Sequence, residues 1–343
     1  VVQINVWRVV CISGMHGQDI ANKLLPGLGI LLSLLIGAGG IVFTIGNVGG
    51  GALGFQTLFG LPQPVGILIT GIIAIGIFLI PNATKAMDMI SKILGISTIV
   101  IIFVIILVVH PPFGTALKET FLPSAGISDL GDGIRTLLGG TVGGYITFAG
   151  AHRLLDANIT GKENEKQITS SSVMGIIIAS VVRILLFLAV LGVVSASSGL
   201  ILDESNPASD AFRRGAGEIG YRLFGIILLS ASVTATIGCS YTTISFIKTL
   251  HPWLEKHTRL ITGLFIGLCT FLMFVIGRPA NLLILAGTLN GLIIPLILVI
   301  CLVGATRSDI MGKSYKHPRW MTICGIITVI ITGGLVLWYL LGM

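Results

Sequence analysis

A glycine-rich stretch over residues 136–157 carries the side chains best suited to binding chemistry. It reads TLLGGTVGGYITFAGAHRLLDA and includes Thr147, His152 and Asp156. Each glycine weakens a helix by about 1 kcal/mol relative to alanine, so the stretch predicts a helix that is broken near residues 144–150. In a membrane, the bare peptide oxygens of such a break are tolerated only where they line a cavity or are buried in protein. Broken helices of this kind bind substrate in many transporters.

The same glycines have a second interpretation, in which they let two helices pack closely. Gly139 with Gly143, and Gly140 with Gly144, both have GxxxG spacing. This spacing allows two helix backbones to approach each other within a membrane. The residues alone leave the two interpretations equally open.

Three ionisable side chains in or beside apolar runs are candidates for coupling or gating, namely His152, Asp156 and Arg183. Arg183 lies near the middle of the run SSVMGIIIASVVRILLFLAVLG. An arginine at the centre of a bilayer costs from about 3 kcal/mol upward unless it is paired or hydrated. Asp156 and Asp88 are candidate partners, and a purely structural ion pair is as good an interpretation as a functional one.

Uncharged polar groups occur in two further runs. The run LLSASVTATIGCSYTTISF at residues 228–246 is rich in hydroxyls, most of which can bond to the backbone of their own helix. Asn290 stands in an otherwise apolar run. An unpartnered amide is expensive in lipid, so we expect Asn290 to face the protein interior or a cavity. Structural hydrogen bonding explains Asn290 as well as ligand contact does.

Other recognisable chemistry is missing from the sequence. It contains no P-loop, no nucleophile elbow, no HExxH motif and no Gly-rich dinucleotide turn. The five cysteines are scattered without a CxxC pair and indicate neither a disulfide framework nor a zinc site. We therefore expect neither an enzyme nor an ATP-driven pump, and no cofactor.

The elements that must position these groups are membrane helices. Of 343 residues 54% are apolar and 10% charged, whereas soluble domains carry roughly 25% charged residues. The mean hydropathy of +1.00 is typical of a polytopic membrane protein. The predicted fold class is therefore all-α and polytopic, with one transmembrane domain over residues 1–343. Its spans are predicted at 1–13 (partial), 27–56, 64–81, 93–110, 136–157, 171–196, 221–248, 260–277, 280–304 and 319–341.

The basic residues in the connections predict the orientation of these spans. When the connections are assigned alternately to two sides, fourteen lysines and arginines fall on one side and six on the other. The acidic residues divide evenly. A basic bias without an acidic one is the positive-inside pattern, so the richer side is predicted to be cytoplasmic.

Several segments resemble the Nramp family of divalent-metal transporters. GIVFTIGNVGGGALGFQTLFGLPQPVGILIT is similar to their third and fourth helices, and DIMGKSYKHPRWMTICG to the connection into their eleventh. GGYITFAGAHRLLDA resembles the sixth helix of divergent, Nramp-related members. The resemblance implies the inverted-repeat, LeuT-like bundle of the APC superfamily. It also implies that the first helix, with its DPGN metal-binding motif, and most of the second are absent from this chain.

The resemblance places half of a metal site on the sixth and tenth helices. One register puts Gly144 at a metal-binding carbonyl position and Thr147 at the family's methionine, and another puts Phe148 at the methionine. Gly287 aligns with a glutamine of the family, and Asn290 lies close by. Replacing a soft thioether by a hydroxyl removes the preference for transition metals that thioethers bind well, so the resemblance favours Mg²⁺ or Mn²⁺.

The resemblance also bears on proton coupling. Thr44 and Asn47 occupy positions where the family's third helix carries an aspartate and a glutamate associated with the proton route. Neither side chain titrates at physiological pH. The change therefore favours transport without proton coupling.

These observations predict a secondary transporter that moves divalent metal cations by alternating access. Its expected partners are the metal ion as substrate and the lipid bilayer, with no nucleic acid, and the chain is expected to be a monomer. The expected location is a multi-pass position in a bacterial-type plasma membrane. Two alternatives stay open. One is a transporter of a small organic solute on the same fold, because the retained half-site lacks charged ligands. The other is a non-transporting membrane subunit or receptor.

Overall fold

The chain is described by a computed structural model over residues 1–80, 83–124, 126–196, 206–248, 251–277 and 279–341. Throughout these ranges it forms helices and short connections. The helices in chain order are α1 (Val2–Ser13), α2 (Gly17–Leu24), α3 (Leu28–Phe59), α4 (Gln63–Leu79), α5 (Ala83–Val109), α6 (Phe113–Phe121), α7 (Ile127–Val142), α8 (Gly144–Asp156), a 3₁₀ turn (Lys162–Asn164), α9 (Glu165–Ala196), α10 (Pro207–Lys248), α11 (Pro252–Lys256), α12 (Thr258–Ile276), α13 (Pro279–Thr306), α14 (Ser308–Met311) and α15 (Arg319–Leu340).

Within the described residues, seven helices are long and apolar enough to cross a membrane. The predicted spans coincide with helices, but several helices begin earlier than the charge-free runs do. α5 starts at Ala83 where a span was predicted from 93, and α10 starts at Pro207 where a span was predicted from 221. Charged residues are excluded from lipid and not from helices, so a charge-free run underestimates helix length. Residue 81, the last of the predicted span 64–81, lies outside the described residues.

The centre of the bundle is an antiparallel pair formed by α3 and α10. Gly40, Gly50 and Gly54 of α3 meet residues of decreasing number along α10, ending at Leu229. A Cβ atom at Gly54 would lie 2.8 Å from the Leu229 side chain. The glycines of α3 therefore allow the two helices to approach each other more closely than side chains would permit.

The outer helices show the opposite pattern of burial. In the most apolar windows of α5, α9 and α15, 17% of the residues are buried, against 56% in α3 and α10. Large apolar side chains such as Phe103, Phe187 and Ile330 are more than half exposed. An apolar surface of this extent fits contact with lipid tails and would aggregate in water. The polar groups of interest must therefore lie among the central helices.

Candidate functional site

The candidate site is built around an interruption between α7 and α8. α7 ends at Val142, Gly143 is extended (φ −75°, ψ 153°), and Gly144 has a φ of +44° before the chain becomes helical again. The prediction that residues 144–150 are broken is therefore wrong in position, because these residues are the first turns of α8. The backbone conformation of the break requires glycine at Gly144, where φ is positive. The later glycine, Gly150, is accommodated in a helix by packing against Trp7.

The glycines before the break pack against α13. A Cβ atom at Gly139 would overlap the Gly287 carbonyl oxygen, and one at Gly143 would lie 2.7 Å from the Asn290 carbonyl oxygen. Gly140 has no neighbour within 4 Å of such a Cβ atom. The glycine run therefore serves close packing at Gly139 and Gly143 and breaks the helix at Gly143 and Gly144.

Asn290 provides an unpartnered oxygen atom at this interruption. Its side chain is fully buried, its Nδ2 donates to the Ala286 carbonyl at 2.9 Å, and its Oδ1 has no hydrogen-bond partner. A Cβ atom at Gly144 would overlap this Oδ1, and one at Gly39 would lie 2.6 Å from it. Asn290 Oδ1 therefore marks the point where α3, α8 and α13 meet, which we call the junction. An orphaned buried acceptor of this kind calls for an explanation, and a bound ligand is one.

The carbonyls at the end of α7 add further acceptor groups near the break. The last turn of a helix leaves carbonyls without partners, and its end carries a partial negative charge that favours cations. One of these carbonyls, that of Gly140, accepts a hydrogen bond from Arg183 Nη2 at 3.0 Å. Arg183 therefore caps α7 and does not pair with Asp156 as one prediction allowed, since Asp156 pairs with Lys248 at 3.0 Å. The side chain of Asp88, the other predicted partner, lies outside the described part of the chain.

Thr147 and Phe148 follow Gly144 along α8 and contact α1, α2 and α10. The Thr147 carbonyl accepts from Trp7 Nε1 at 3.0 Å. Phe148 is fully buried against Gly17 and Phe246, with 5.0 Å between the two phenyl ring centroids. Of the predicted metal-binding residues, the structure thus brings Gly144 and Asn290 together. Gly287 lies one helical turn from Asn290 on α13, and Thr147 lies one helical turn from Gly144 on α8. Phe148 packs against α2 and α10.

His152 is fully buried and both of its ring nitrogens have partners. The Gly17 N–H donates to Nε2 at 3.3 Å, so Nδ1 carries the proton and donates to Ser245 Oγ at 2.6 Å. Ser245 in turn donates to the Thr242 carbonyl at 2.9 Å. This chain of hydrogen bonds defines a neutral imidazole that joins α8 to α10 and to the start of α2.

Asp156 and Lys248 end their helices side by side. Lys248 Nζ lies 3.0 Å from Asp156 Oδ1, and the Tyr241 hydroxyl donates to Asp156 Oδ2. His16, in the connection before α2, stands near both charges. Burial, followed by the positive charge of Lys248, lowers the pKa of His16 below its usual value.

Thr44 and Asn47 lie further along α3, facing α10. Thr44 is five residues from Gly39, which corresponds to about 7.5 Å of helix. The Thr44 side chain is fully buried and hydrogen-bonds with the Cys239 thiol of α10, and Asn47 Nδ2 is buried without a hydrogen-bond partner among the described residues. Thr44 thus contacts the region of Tyr145 through Cys239, and neither Thr44 nor Asn47 carries a charge.

Sequence reasoning missed Cys239 and Tyr145 as residues of this region. The Cys239 thiol is fully buried, donates to the Gly40 carbonyl at 3.2 Å and interacts with the Tyr145 hydroxyl. Tyr145 also packs on Phe43, with 5.1 Å between ring centroids. The signal available was the position of Cys239 within the hydroxyl-rich run, one turn before Thr243.

The chemistry available at the junction is that of uncharged oxygen atoms. In the ranges that the structure covers, no three His, Cys, Asp or Glu side chains form a cluster that could hold a metal ion. The acceptors are the Asn290 amide oxygen and the carbonyls that end α7. Oxygen ligands of this kind suit hard cations such as Mg²⁺ and Mn²⁺, and they can equally receive hydrogen bonds from a polar solute.

Comparisons with known proteins match almost the entire chain. The family model described as natural resistance-associated macrophage protein-like (Nramp) matches residues 1–342. The membrane protein YcsG of Bacillus subtilis is 51% identical over 329 residues, which are 96% of this chain and 80% of that protein. A membrane protein of Haemophilus influenzae is 46% identical over the same share of this chain and 81% of its own.

Solved structures with the same fold come from a manganese transporter of Eremococcus coleocola. Its complex with an aromatic bis-isothiourea substituted compound superposes with a TM-score of 0.71 at 18% identity, covering 98% of this chain and 76% of that one. Substituted variants of that transporter match equally well. The predicted LeuT-like helical bundle is thereby confirmed.

Proposed function

The chain belongs to the Nramp family and is a multi-pass integral membrane protein, and from that premise we propose that it is a secondary transporter of divalent metal cations. Mg²⁺ and Mn²⁺ are the favoured substrates. The transport cycle is alternating access without proton coupling. The manganese transporter with the same fold supports the substrate class by analogy, and the junction supports it by its chemistry.

The observation that carries the proposal is the buried, unpartnered Oδ1 of Asn290 beside the positive-φ Gly144. A cation placed there would accept oxygen ligands from the amide and from the carbonyl end of α7, where the helix dipole favours positive charge. The absence of a thioether or imidazole from the described part of the junction favours hard ions over soft ones. The uncharged Thr44 and Asn47 on α3 support uptake without a proton relay along that helix.

Flux measurements on purified protein in liposomes test this function. We expect uptake of Mn²⁺ or Mg²⁺ down a gradient, without acidification of the lumen. We expect Asn290→Ala to slow uptake roughly tenfold, as the loss of an interaction of ~1.4 kcal/mol would. Asn281→Ala is the matched control, because Asn281 is an exposed asparagine on the same helix, and its uptake should equal that of the parent protein. Liposomes that show no cation flux above the protein-free level would contradict the proposal.

A second candidate function, transport of a small organic solute, is favoured by Arg183. This guanidinium lies beside the break and lines a groove of about 680 Å³ between α6, α7 and α9. The groove has the size of a small-molecule site, and its other lining residues are apolar or carry hydroxyls. The positive charge of the Arg183 guanidinium repels a metal ion and attracts an anionic group. The groove therefore fits a solute that carries a carboxylate or a similar group.

The same liposomes separate the two candidates. Cation uptake that Asn290→Ala reduces and Arg183→Gln leaves unchanged supports the metal transporter. Saturable uptake of a radiolabelled organic acid that Arg183→Gln abolishes, without any cation flux, supports the organic-solute transporter.

A further inference from the structure

α8 is a half-helix whose two ends are fixed in different ways. At its first residue, Gly144 has a positive φ and follows the extended Gly143, so the backbone connection to α7 is not helical. Glycines at such a point allow one half of a broken helix to change direction relative to the other. What holds α8 in its present orientation must therefore be sought along its length and at its last residue.

Along its length α8 is attached to α1. The Thr147 carbonyl accepts from Trp7, the Trp7 ring covers Gly150, and the Cys11 thiol donates to the Ala151 carbonyl at 3.6 Å. These contacts use the backbone of α8 and make α1 and α8 one packed unit. They do not connect α8 to α10.

The earlier turns of α8 contact α10 through Tyr145 and Phe148, and its last turns are attached to α10 by polar side chains. Asp156 binds Lys248 at 3.0 Å and the Tyr241 hydroxyl, and one turn earlier His152 binds Ser245. A carboxylate at the C-terminal end of its own helix opposes the helix dipole, so Asp156 is stabilised there by these partners and not by α8. The ion pair is partly covered, with 15% of the Lys248 side chain and 32% of the Asp156 side chain exposed.

We propose that Asp156, Lys248 and Tyr241 form a latch that holds α8 against α10 and closes the junction toward the end of the bundle where these two helices terminate. Release of the latch lets the last turns of α8 move away from α10 and opens a path along the face of α8 that carries Phe148 and His152. The positive-inside pattern predicts that this end is cytoplasmic. The role of the latch in transport rests on the proposed function, whereas its effect on the accessibility of the junction does not.

The native thiol of Cys239 reports directly on this opening. It is fully buried between Gly40 and Tyr145, at the level of the break. In purified protein without substrate, we expect Asp156→Asn to raise the rate of Cys239 alkylation by N-ethylmaleimide about fivefold, which corresponds to ~1 kcal/mol. Tyr241→Phe should raise the rate by a smaller factor. The double variant Asp156→Lys with Lys248→Asp exchanges the two charges and should return the Cys239 alkylation rate most of the way to that of the parent protein. Alkylation is quantified for each cysteine by peptide mass spectrometry.

Two controls separate opening from general loosening. Cys269 is fully buried among α3, α4 and α12, away from the latch, and its alkylation should stay at the parent rate. Asp309→Asn breaks an exposed ion pair on a different connection, in which Arg307 Nε lies 3.0 Å from Asp309 Oδ1. This variant should leave Cys239 protected from alkylation.

The latch is refuted by an unchanged Cys239 rate in both Asp156→Asn and Tyr241→Phe. It is equally refuted if Cys269 reacts faster in parallel, because the substitutions then loosen the whole bundle. No metal or solute enters this assay. A failure of cation uptake in liposomes would therefore count against the proposed function and leave the result for the latch intact.

Discussion

At the scale of single residues, Gly144 combines two constraints that glycine alone satisfies. Its φ of +44° costs other residues roughly 1–2 kcal/mol, and a Cβ atom would overlap Asn290 Oδ1. Overpacking of a filled site costs about 1–3 kcal/mol in addition. Gly140, four residues earlier, is helical and has free space where its Cβ atom would be.

The two glycines therefore predict opposite outcomes for the same substitution. We expect Gly144→Ala to lower the free energy of unfolding by at least about 2 kcal/mol. Gly140→Ala should leave it unchanged or raise it by up to ~1 kcal/mol, because alanine favours the helix. Thermal unfolding in detergent, followed by circular dichroism, measures both. Equal midpoints for the two variants would contradict the assignment of the break to residues 143 and 144.

The residue scale is also where sequence reasoning was least accurate. It selected Gly144 through the family resemblance and Asn290 because a lone amide is costly in an apolar helix. It could not decide between Thr147 and Phe148 at the family's methionine position, because the register of a broken helix depends on where the break falls. That position is decided by the packing of Gly139 and Gly143 on α13, which one sequence does not contain.

At the scale of elements, two arginines in membrane helices are stabilised very differently. Arg8 in α1 is 8% exposed, pairs with Glu165 at 2.7 Å and donates to Thr169 at the start of α9. Arg183 in α9 donates to one neutral carbonyl, that of Gly140. A charged residue near the bilayer centre costs about 3 kcal/mol, whereas a hydrogen bond to a charged group returns about 1.5–3 kcal/mol. Among the described residues Arg183 has no charged partner that offsets this cost, so we expect it to be at best neutral for stability.

Methionine substitutions distinguish these two roles. Arg8→Met leaves the Glu165 carboxylate without its partner and should lower the free energy of unfolding by about 2 kcal/mol, a value below that of a fully buried pair because Glu165 is partly exposed. Arg183→Met should be as stable as the parent protein or more stable. Thermal unfolding midpoints measured side by side test the contrast. A large loss of stability in Arg183→Met would show that the cap on α7 is structural.

Element boundaries illustrate what hydropathy can and cannot predict. Charge-free runs located the apolar part of each long helix, because lipid excludes charge whatever the tertiary contacts are. They missed the first turns of α5 and α10 and the whole of α6, because these segments contain charged residues. The partner of Asp156 was equally beyond reach, since Lys248 is 92 residues away in the sequence and meets it only when α8 packs on α10.

At the scale of the whole molecule, a polar network joins three distant parts of the chain at the predicted cytoplasmic end. The Asn5 amide donates to the Val1 and Met321 carbonyls, so its Oδ1 accepts from His317 Nε2 at 2.8 Å. His317 Nδ1 is then free of a proton and accepts from the Tyr315 hydroxyl at 3.0 Å. The network therefore requires a neutral imidazole, and it ties α1 to the connection between α14 and α15.

This requirement makes the stability of the whole bundle depend on pH. Burial, followed by the charge of Arg8, lowers the pKa of His317 in the folded protein, with Glu165 opposing the shift. Below the unfolded value of about 6.5, the unfolded chain binds more protons than the folded one, so the free energy of unfolding falls as the pH drops through that value.

We expect the unfolding midpoint to decrease between about pH 7.5 and about pH 5.5, and His317→Gln to flatten the decrease. His16, whose pKa is also lowered, contributes in the same direction and leaves part of the slope in that variant. His251→Gln, at an exposed histidine, is the control and should show the same decrease of the midpoint with pH as the parent protein. If His317→Gln is as pH-sensitive as the parent protein, the network does not depend on the neutral imidazole.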